Sequence, residues 1–321
     1  MAGGLAVVLS GGGAKGAFQV GVLEALILDK KVSFDIAVGT STGAIQATAV
    51  AQNDIPALVG FWKSIRGPDD IYRKRSGQIM AILTGSPALY STGPLQALLK
   101  KTIDKNKILA SGKRLRIQIV NLTNGESWVV GENADDLDKW VYASCAMPFV
   151  FPPQDSRDAQ GREEQWVDGG VRDVTPLEAA LVERPRAVLV IRASAPPTPK
   201  APKKYRSLTS IGLRAVDILQ NEVSSNDLKN VSLINQVLNA RDRQRLDLRA
   251  LGLTSPQIEK VMGHLEQAIQ KYRLIPTDII EPPENLYETL DFDSALIAKA
   301  MQMGRDYVEE HWPRLERFLA G

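Results

Sequence analysis

Two hydrophobic periods alternate over the first fifty residues. Residues 5–10 form a short apolar run that three glycines end, the pattern of a strand closing into a turn. Through residues 14–29, Phe18, Val22 and Leu26 recur every fourth position, which predicts a helix. A second apolar run, 34–38, enters Gly39-Thr40-Ser41-Thr42-Gly43, and helical spacing resumes over 44–52. Strand, turn and helix repeated twice predict a parallel sheet wound with crossover helices. The expected fold class is therefore α/β: a three-layer sandwich with a mainly parallel sheet and helices on both faces.

Further strands are expected over 115–122, 128–131 and 187–193, with a short extended piece at 166–168 before two glycines. The polar stretch 154–165 reads as an exposed loop. Residues 66–92, polar and punctuated by glycine and proline, could fold over a site. Residues 195–204 carry four prolines in ten positions, which excludes a helix and marks a junction. Beyond it the chain turns helical, over 208–238, 256–273 (with Thr254 and Ser255 as caps) and 294–319. An extended piece at 278–282 interrupts these helices. The expected organisation is a core unit of residues 1–194 and a mostly helical region, 195–321, packed on it or completing the same domain.

Composition narrows the class of protein. Of 321 residues, 44% are hydrophobic and 24% charged, and the formal net charge is +2. That balance suits a globular protein and gives no chain-wide nucleic-acid footprint. One cysteine, Cys145, excludes an intrachain disulfide and reads as a small buried residue. No run approaches the ~20 apolar residues of a membrane-spanning helix. The expected location is cytoplasmic, with contact to membranes made peripherally.

Three glycine-marked sites carry the chemistry. Gly11-Gly12-Gly13-Ala14-Lys15-Gly16 follows a strand and opens a helix, so its amides can converge on an anion. Gly39–Gly43 is a G-x-S-x-G on a strand-to-helix turn, which would expose the Ser41 hydroxyl on a strained bend. Asp168-Gly169-Gly170 sets a carboxylate at the end of a strand. A serine needs a base to become a nucleophile. The two histidines, His264 and His311, both fall inside C-terminal helical patterns, so Asp168 is the better base.

GGGAKG, GTSTG and DGG in this order resemble the patatin-like phospholipases and the related cytosolic phospholipases A2. ASCAMPFVFPP (143–153) looks like that family's segment before its aspartate, and LDFD (290–293) is similar to its C-terminal part. The resemblance covers residues 5–193 well and the remainder loosely. It implies a lipid acyl hydrolase with Ser41 as nucleophile, Asp168 as base and Gly11, Gly12 and Gly13 lining an oxyanion hole, without cofactor or metal. The family usually has arginine where this chain has Lys15, so a phosphate or head-group contact there would be a point charge. Its asparagine-x-proline after DGG is here Val174-Thr175-Pro176. The implied partner is membrane or micellar lipid, not nucleic acid. The basic groups Lys200, Lys203, Lys204 and Arg206, and Arg73, Lys74 and Arg75, read as solvated, with docking on anionic lipid as the alternative. Two other readings stay open: a Rossmann-type nucleotide-binding protein, since G-x-G-x-x-G is present, and a regulated lipase whose C-terminal helices act as sensor or cover.

Overall fold

The computed structural model describes residues 3–74, 88–195, 204–206, 208–270 and 272–321. The strands among them are β1 (Leu5–Leu9), β2 (Ile36–Thr40), β3 (Arg73–Lys74), β4 (Tyr90–Ser91), β5 (Arg114–Asn121), β6 (Ser127–Gly131), β7 (Gln154–Arg157), β8 (Glu163–Asp168), β9 (Ala187–Ile191) and β10 (Thr277–Ile280). The helices are α1 (Ala17–Leu23), α2 (Thr42–Ala51), α3 (Ile55–Ser64), α4 (Gly93–Thr102), α5 (Lys105–Ser111), α6 (Leu137–Cys145), α7 (Leu177–Val182), α8 (Leu208–Ala250), α9 (Ser255–Ile269) and α10 (Ser294–Ala320).

Strand order in the main sheet is β10-β9-β1-β2-β5-β8-β7, with β6 also on β5. The five strands from β10 to β5 run parallel; β6 and β8 run antiparallel to β5, and β7 pairs antiparallel with β8. Buried on both faces, the central strands β1 and β9 read as unbroken apolar runs. Leu5, Val7, Leu9, Leu189 and Ile191 point into the larger core with residues of α1, α2, α3, α6 and α10. Ala6, Val8, Val188 and Val190 point the other way, against Leu177 and Ala180 of α7 and Leu228 and Val231 of α8. This is the expected α/β three-layer arrangement. Strand β10 and helix α10, from the C-terminal third, build the sheet edge and one helical layer.

Several elements depart from the sequence expectation. The polar stretch 154–165 is not a loop throughout: it supplies β7 and the start of β8, an edge hairpin solvated enough to carry no apolar alternation. The helix beginning at 208 runs on to Ala250, braced by Arg245 with Glu266 of α9 at 2.8 Å. The expected helix 14–29 is one tight turn (Gly13–Gly16), α1, and a widened turn of i→i+5 type (Glu24–Asp29). Thr254 caps α9, its amide donating to the Gln257 side chain at 2.8 Å. Within 66–92, residues 75–87 lie outside the described residues, as do Lys200 and Lys203 of the basic group and most of the proline junction.

Candidate active site

β2 ends at Thr40 and the chain turns sharply at Ser41 into α2. Ser41 has φ 57° and ψ −127°, a left-handed φ that a serine holds only when its surroundings impose it. The constraints are visible. The Ala44 amide donates to the Ser41 carbonyl at 2.8 Å, and the Ser41 amide donates to Ser144 Oγ at 2.9 Å. Ser144 in turn donates to the Gln118 carbonyl at 2.7 Å, so a buried hydroxyl bridges the bend to β5. At Gly43 a Cβ would stand 2.1 Å from the Leu9 carbonyl oxygen, so only glycine lets α2 start this close to β1.

Register then brings up the acid. On β5, Gln118 pairs with Thr40 and Ile119 pairs with Asp168, while β6 occupies the other edge of both residues. Where β2 leaves the sheet, β8 takes its place, and Asp168 fills the position next along from Thr40. Asp168 is fully buried; its amide donates to the Ala146 carbonyl at 3.0 Å, and its Oδ1 accepts the Gly170 amide at 2.7 Å. Oδ2 has no hydrogen-bond partner among the described residues. The Ser41 hydroxyl stands near enough to pull the carboxyl's pKa down as a donor, yet the contact lacks the geometry of a formed hydrogen bond. Burial outweighs that pull and the Gly170 amide, and the Asp168 pKa is pushed up to about 7. Burial, and then Asp168 itself, push the Cys145 thiol well up, which keeps it protonated and inert.

The glycine loop lies alongside. A Cβ on Gly11 would be 3.3 Å from Ser41 Cβ. The Gly11 amide donates to the Val174 carbonyl at 2.9 Å, so it is already committed. The amides of Gly12 and Gly13 find no acceptor among the described residues. Gly13 has φ 55°, and a Cβ there would strike the Thr289 carbonyl oxygen at 2.2 Å. Lys15 is buried, and its ammonium donates to Asp217 Oδ1 of α8 at 2.6 Å. A head-group contact at Lys15 would thus have to displace a carboxylate.

Helix α8 crosses the site. Asp217 also accepts from Thr289 at 2.8 Å and Arg214 at 2.7 Å. Burial alone would raise its pKa, but Lys15, Thr289 and Arg214 hold it below the usual range. Further along α8, the hydroxyls of Ser224 and Thr175 pair at 2.8 Å, and Asp227 accepts the Thr175 amide at 3.1 Å. Burial, and then Asp227, raise the pKa of Asp173. A cleft of about 510 Å³ is lined by Tyr72, Tyr90, Met147, Leu213, Val216 and Thr289, among others. Asp217, Gln220 and Thr289 border both this cleft and the small cavity beside Gly11 and Gly12.

Ser41, Asp168 and the three glycines, far apart in sequence, are thus gathered at the carboxyl ends of β1 and β2. His264 is exposed on α9, and His311 stacks on Tyr307 with ring centroids 4.2 Å apart. Among the described residues no group of His, Cys, Asp or Glu is arranged to hold a metal ion. Sequence reasoning missed Ser144, which lies inside the quoted 143–153 segment, and Asp217, for which no signal existed 202 residues from Lys15.

The sequence profile of one family, the patatin-like phospholipases, matches residues 7–181, more than half of the chain and all three glycine motifs. The chain belongs to the patatin-like phospholipase family. No curated protein matches the chain in sequence. Among solved structures, VipD from Legionella pneumophila aligns at 18% identity with a TM-score of 0.43, over 96% of this chain and 66% of that one. The chain thus spans just under two thirds of the length of VipD. Among the described residues no helix of this patatin-like protein is long and apolar enough to cross a membrane.

Proposed function

We propose that this patatin-like protein hydrolyses acyl esters of glycerophospholipid or neutral lipid through a Ser41–Asp168 pair. The observation that carries the reading is the register on β5, which sets a buried carboxylate with an unpartnered Oδ2 beside the strained serine. In the first half-reaction Ser41 Oγ attacks the acyl carbonyl carbon and its proton passes to Asp168. The carbonyl oxygen becomes an oxyanion, held by the free amides of Gly12 and Gly13 at the start of a helical segment. Gly11, its amide spent on Val174, shapes the loop. Collapse of the tetrahedral species expels the alcohol, which takes the proton from Asp168. Water, deprotonated by Asp168, then attacks the acyl-serine; collapse of this second tetrahedral species releases the fatty acid, and Ser41 Oγ takes the proton back from Asp168. A base with a pKa of about 7 suits this exchange near neutral pH. Each step draws on groups of the chain and on water.

The test is fatty-acid release from phosphatidylcholine and from triacylglycerol by wild type, Ser41→Ala and Asp168→Asn. Both variants should lose on the order of 10³-fold or more in kcat. Undiminished release by Ser41→Ala would end the reading.

A second reading concerns regulation: α8 covers the site in this state. It is supported by the near-complete burial of Ser41 and by the contacts of Asp217, Ser224 and Asp227 with the glycine loop and the 173–175 segment. Truncation at the 195–204 junction is a poor test, because it would also remove β10 and α10 from the fold. Ser224→Ala with Asp227→Ala loosens the helix more gently. Raised hydrolysis of long-chain lipid by a folded double variant supports a cover; unchanged or lower hydrolysis removes it.

A further inference from the structure

Helix α8 changes polarity along its outward face. From Glu222 onward the exposed positions are mostly polar, among them Glu222, Asn226, Lys229, Asn230 and Asn239, with Leu233 and Leu246 as isolated apolar exceptions. Over its first turns, where the inner face meets the cleft and the glycine loop, none of the exposed positions from 211 to 219 is polar, and the exposed side chains include Ile211, Ala215, Ile218 and Leu219. These positions follow i, i+4, i+7, i+8, one stripe of a helix. Inner positions of the same turns, Leu213 and Val216, are apolar too and pack on the core. A helix apolar on both sides normally has both sides covered, yet here Leu219 is 65% exposed.

Phe149 adds a second apolar element. It is 79% exposed and has φ 68°, a left-handed conformation that is strained for a bulky aromatic. The strain is pinned from both sides, since the amides of Leu89 and Tyr90 donate to the carbonyls of Phe149 and Val150 at 3.0 and 3.1 Å. Tyr90 and Met147, its neighbours in this arrangement, line the same cleft as Leu213 and Val216. The exposed ring is thus carried beside the cleft wall, on a segment bonded to Tyr90 and two residues from Met147.

We propose that the α8 stripe and Phe149 together form the face that docks on the surface of a phospholipid bilayer. The choice of occupant rests on the lipid-hydrolase reading and on two observations. First, a soluble partner seated on this rim would close the cleft, whereas a bilayer delivers substrate into it. Second, exposed cations flank the face: Lys204 and Arg206 precede α8, and Arg73 and Lys74 stand on β3, with Lys74 at the cleft. Such cations suit the phosphate-rich surface of anionic lipid. Because the inner side of the same turns carries Asp217 and Gln220, docking would act directly on the helix that covers the site.

The test is co-sedimentation of the full chain carrying Ser41→Ala, to keep lipid intact, with vesicles of phosphatidylcholine alone or mixed with phosphatidylglycerol. Ile218→Ser with Leu219→Ser should lower the partition coefficient roughly a hundredfold, since each apolar side chain leaving lipid costs about a factor of ten. Phe149→Ser, on a different element, should lower it as well, and phosphatidylglycerol should strengthen binding of the parent. Thermal melting at the parent temperature shows that the variants are folded. Unchanged partition in folded variants overturns the proposal, as does a parent that does not sediment with either vesicle. A parent found dimeric by light scattering, and monomeric after the double substitution, would assign the stripe to a second copy instead. Wild type that docks through this face and releases no fatty acid would leave the docking standing and remove the hydrolase reading.

Discussion

Asp168 occupies the place on β5 that Ser41 would take if β2 ran one residue further. Thr40 faces Gln118, and Asp168 faces Ile119 on the edge that β2 vacates. The pairing of serine and acid thus follows from one strand ending where another begins. It needs no long side chain reaching across a pocket, so burial of both groups comes with the sheet itself.

Burial of Asp168 has consequences for pH. Its carboxyl has a pKa of about 7 in the fold against 3.8 for the free side chain. The folded chain keeps a proton that the unfolded chain loses between those values, so stability falls as pH rises through that window and is level above it. Asp168→Asn removes the penalty. Between pH 5 and pH 9 it should gain roughly 3 kcal/mol relative to wild type, which denaturant titrations at the two pH values would show. Hydrolysis by wild type should move the other way, rising through an apparent pKa of about 7 as the base ionises.

Ser144 should matter more than its chemistry suggests. Its hydroxyl bridges the Ser41 amide and the Gln118 carbonyl. Ser144→Ala leaves both buried groups unpaired, at a cost of about 1–3 kcal/mol. It also frees the bend that aims Ser41, so kcat should fall with little change in KM. Equal falls in stability but an unchanged kcat would show that Ser144 only holds the fold.

Two glycine substitutions should have opposite signs. Gly43→Ala drives a methyl group to 2.1 Å from the Leu9 carbonyl oxygen, so the elbow must open or the chain fail to fold. Gly60→Ala, inside α3 with nothing near its Cβ, should raise stability by about 0.5–1 kcal/mol. Melting temperatures of the pair would check both.

The Lys15–Asp217 contact is a buried ion pair, with Lys15 at 5% exposure. Asp217→Ala leaves an unpaired ammonium and should cost about 3–5 kcal/mol, whereas Lys15→Met with Asp217→Leu should recover most of the loss. A double-mutant cycle by chemical denaturation measures the coupling.

The amino-acid pattern made the half of the molecule that carries the glycine motifs legible, because β1 and β9 are continuous apolar runs and each candidate site residue lies at or just past a strand end, within two residues of a glycine. The second strand was displaced by two residues, since Gly39 and Thr40 read as turn but remain paired to β5. The β7–β8 hairpin escaped notice because its residues are largely solvated and lack a buried alternate face. Ser41 and Asp168 could be named from their motifs; how they meet could not, because it depends on the register of β5. Nor could the role of α8, since Asp217, Ser224 and Asp227 sit among ordinary helix residues and gain meaning only against Lys15 and Thr175.

The central claim is a Ser41 nucleophile served by Asp168, and covalent labelling with a fluorophosphonate tests it most directly. Intact mass should show one adduct on wild type, none on Ser41→Ala and a strongly slowed adduct on Asp168→Asn. An adduct of equal size and rate on Ser41→Ala, or none on folded wild type, would contradict the account.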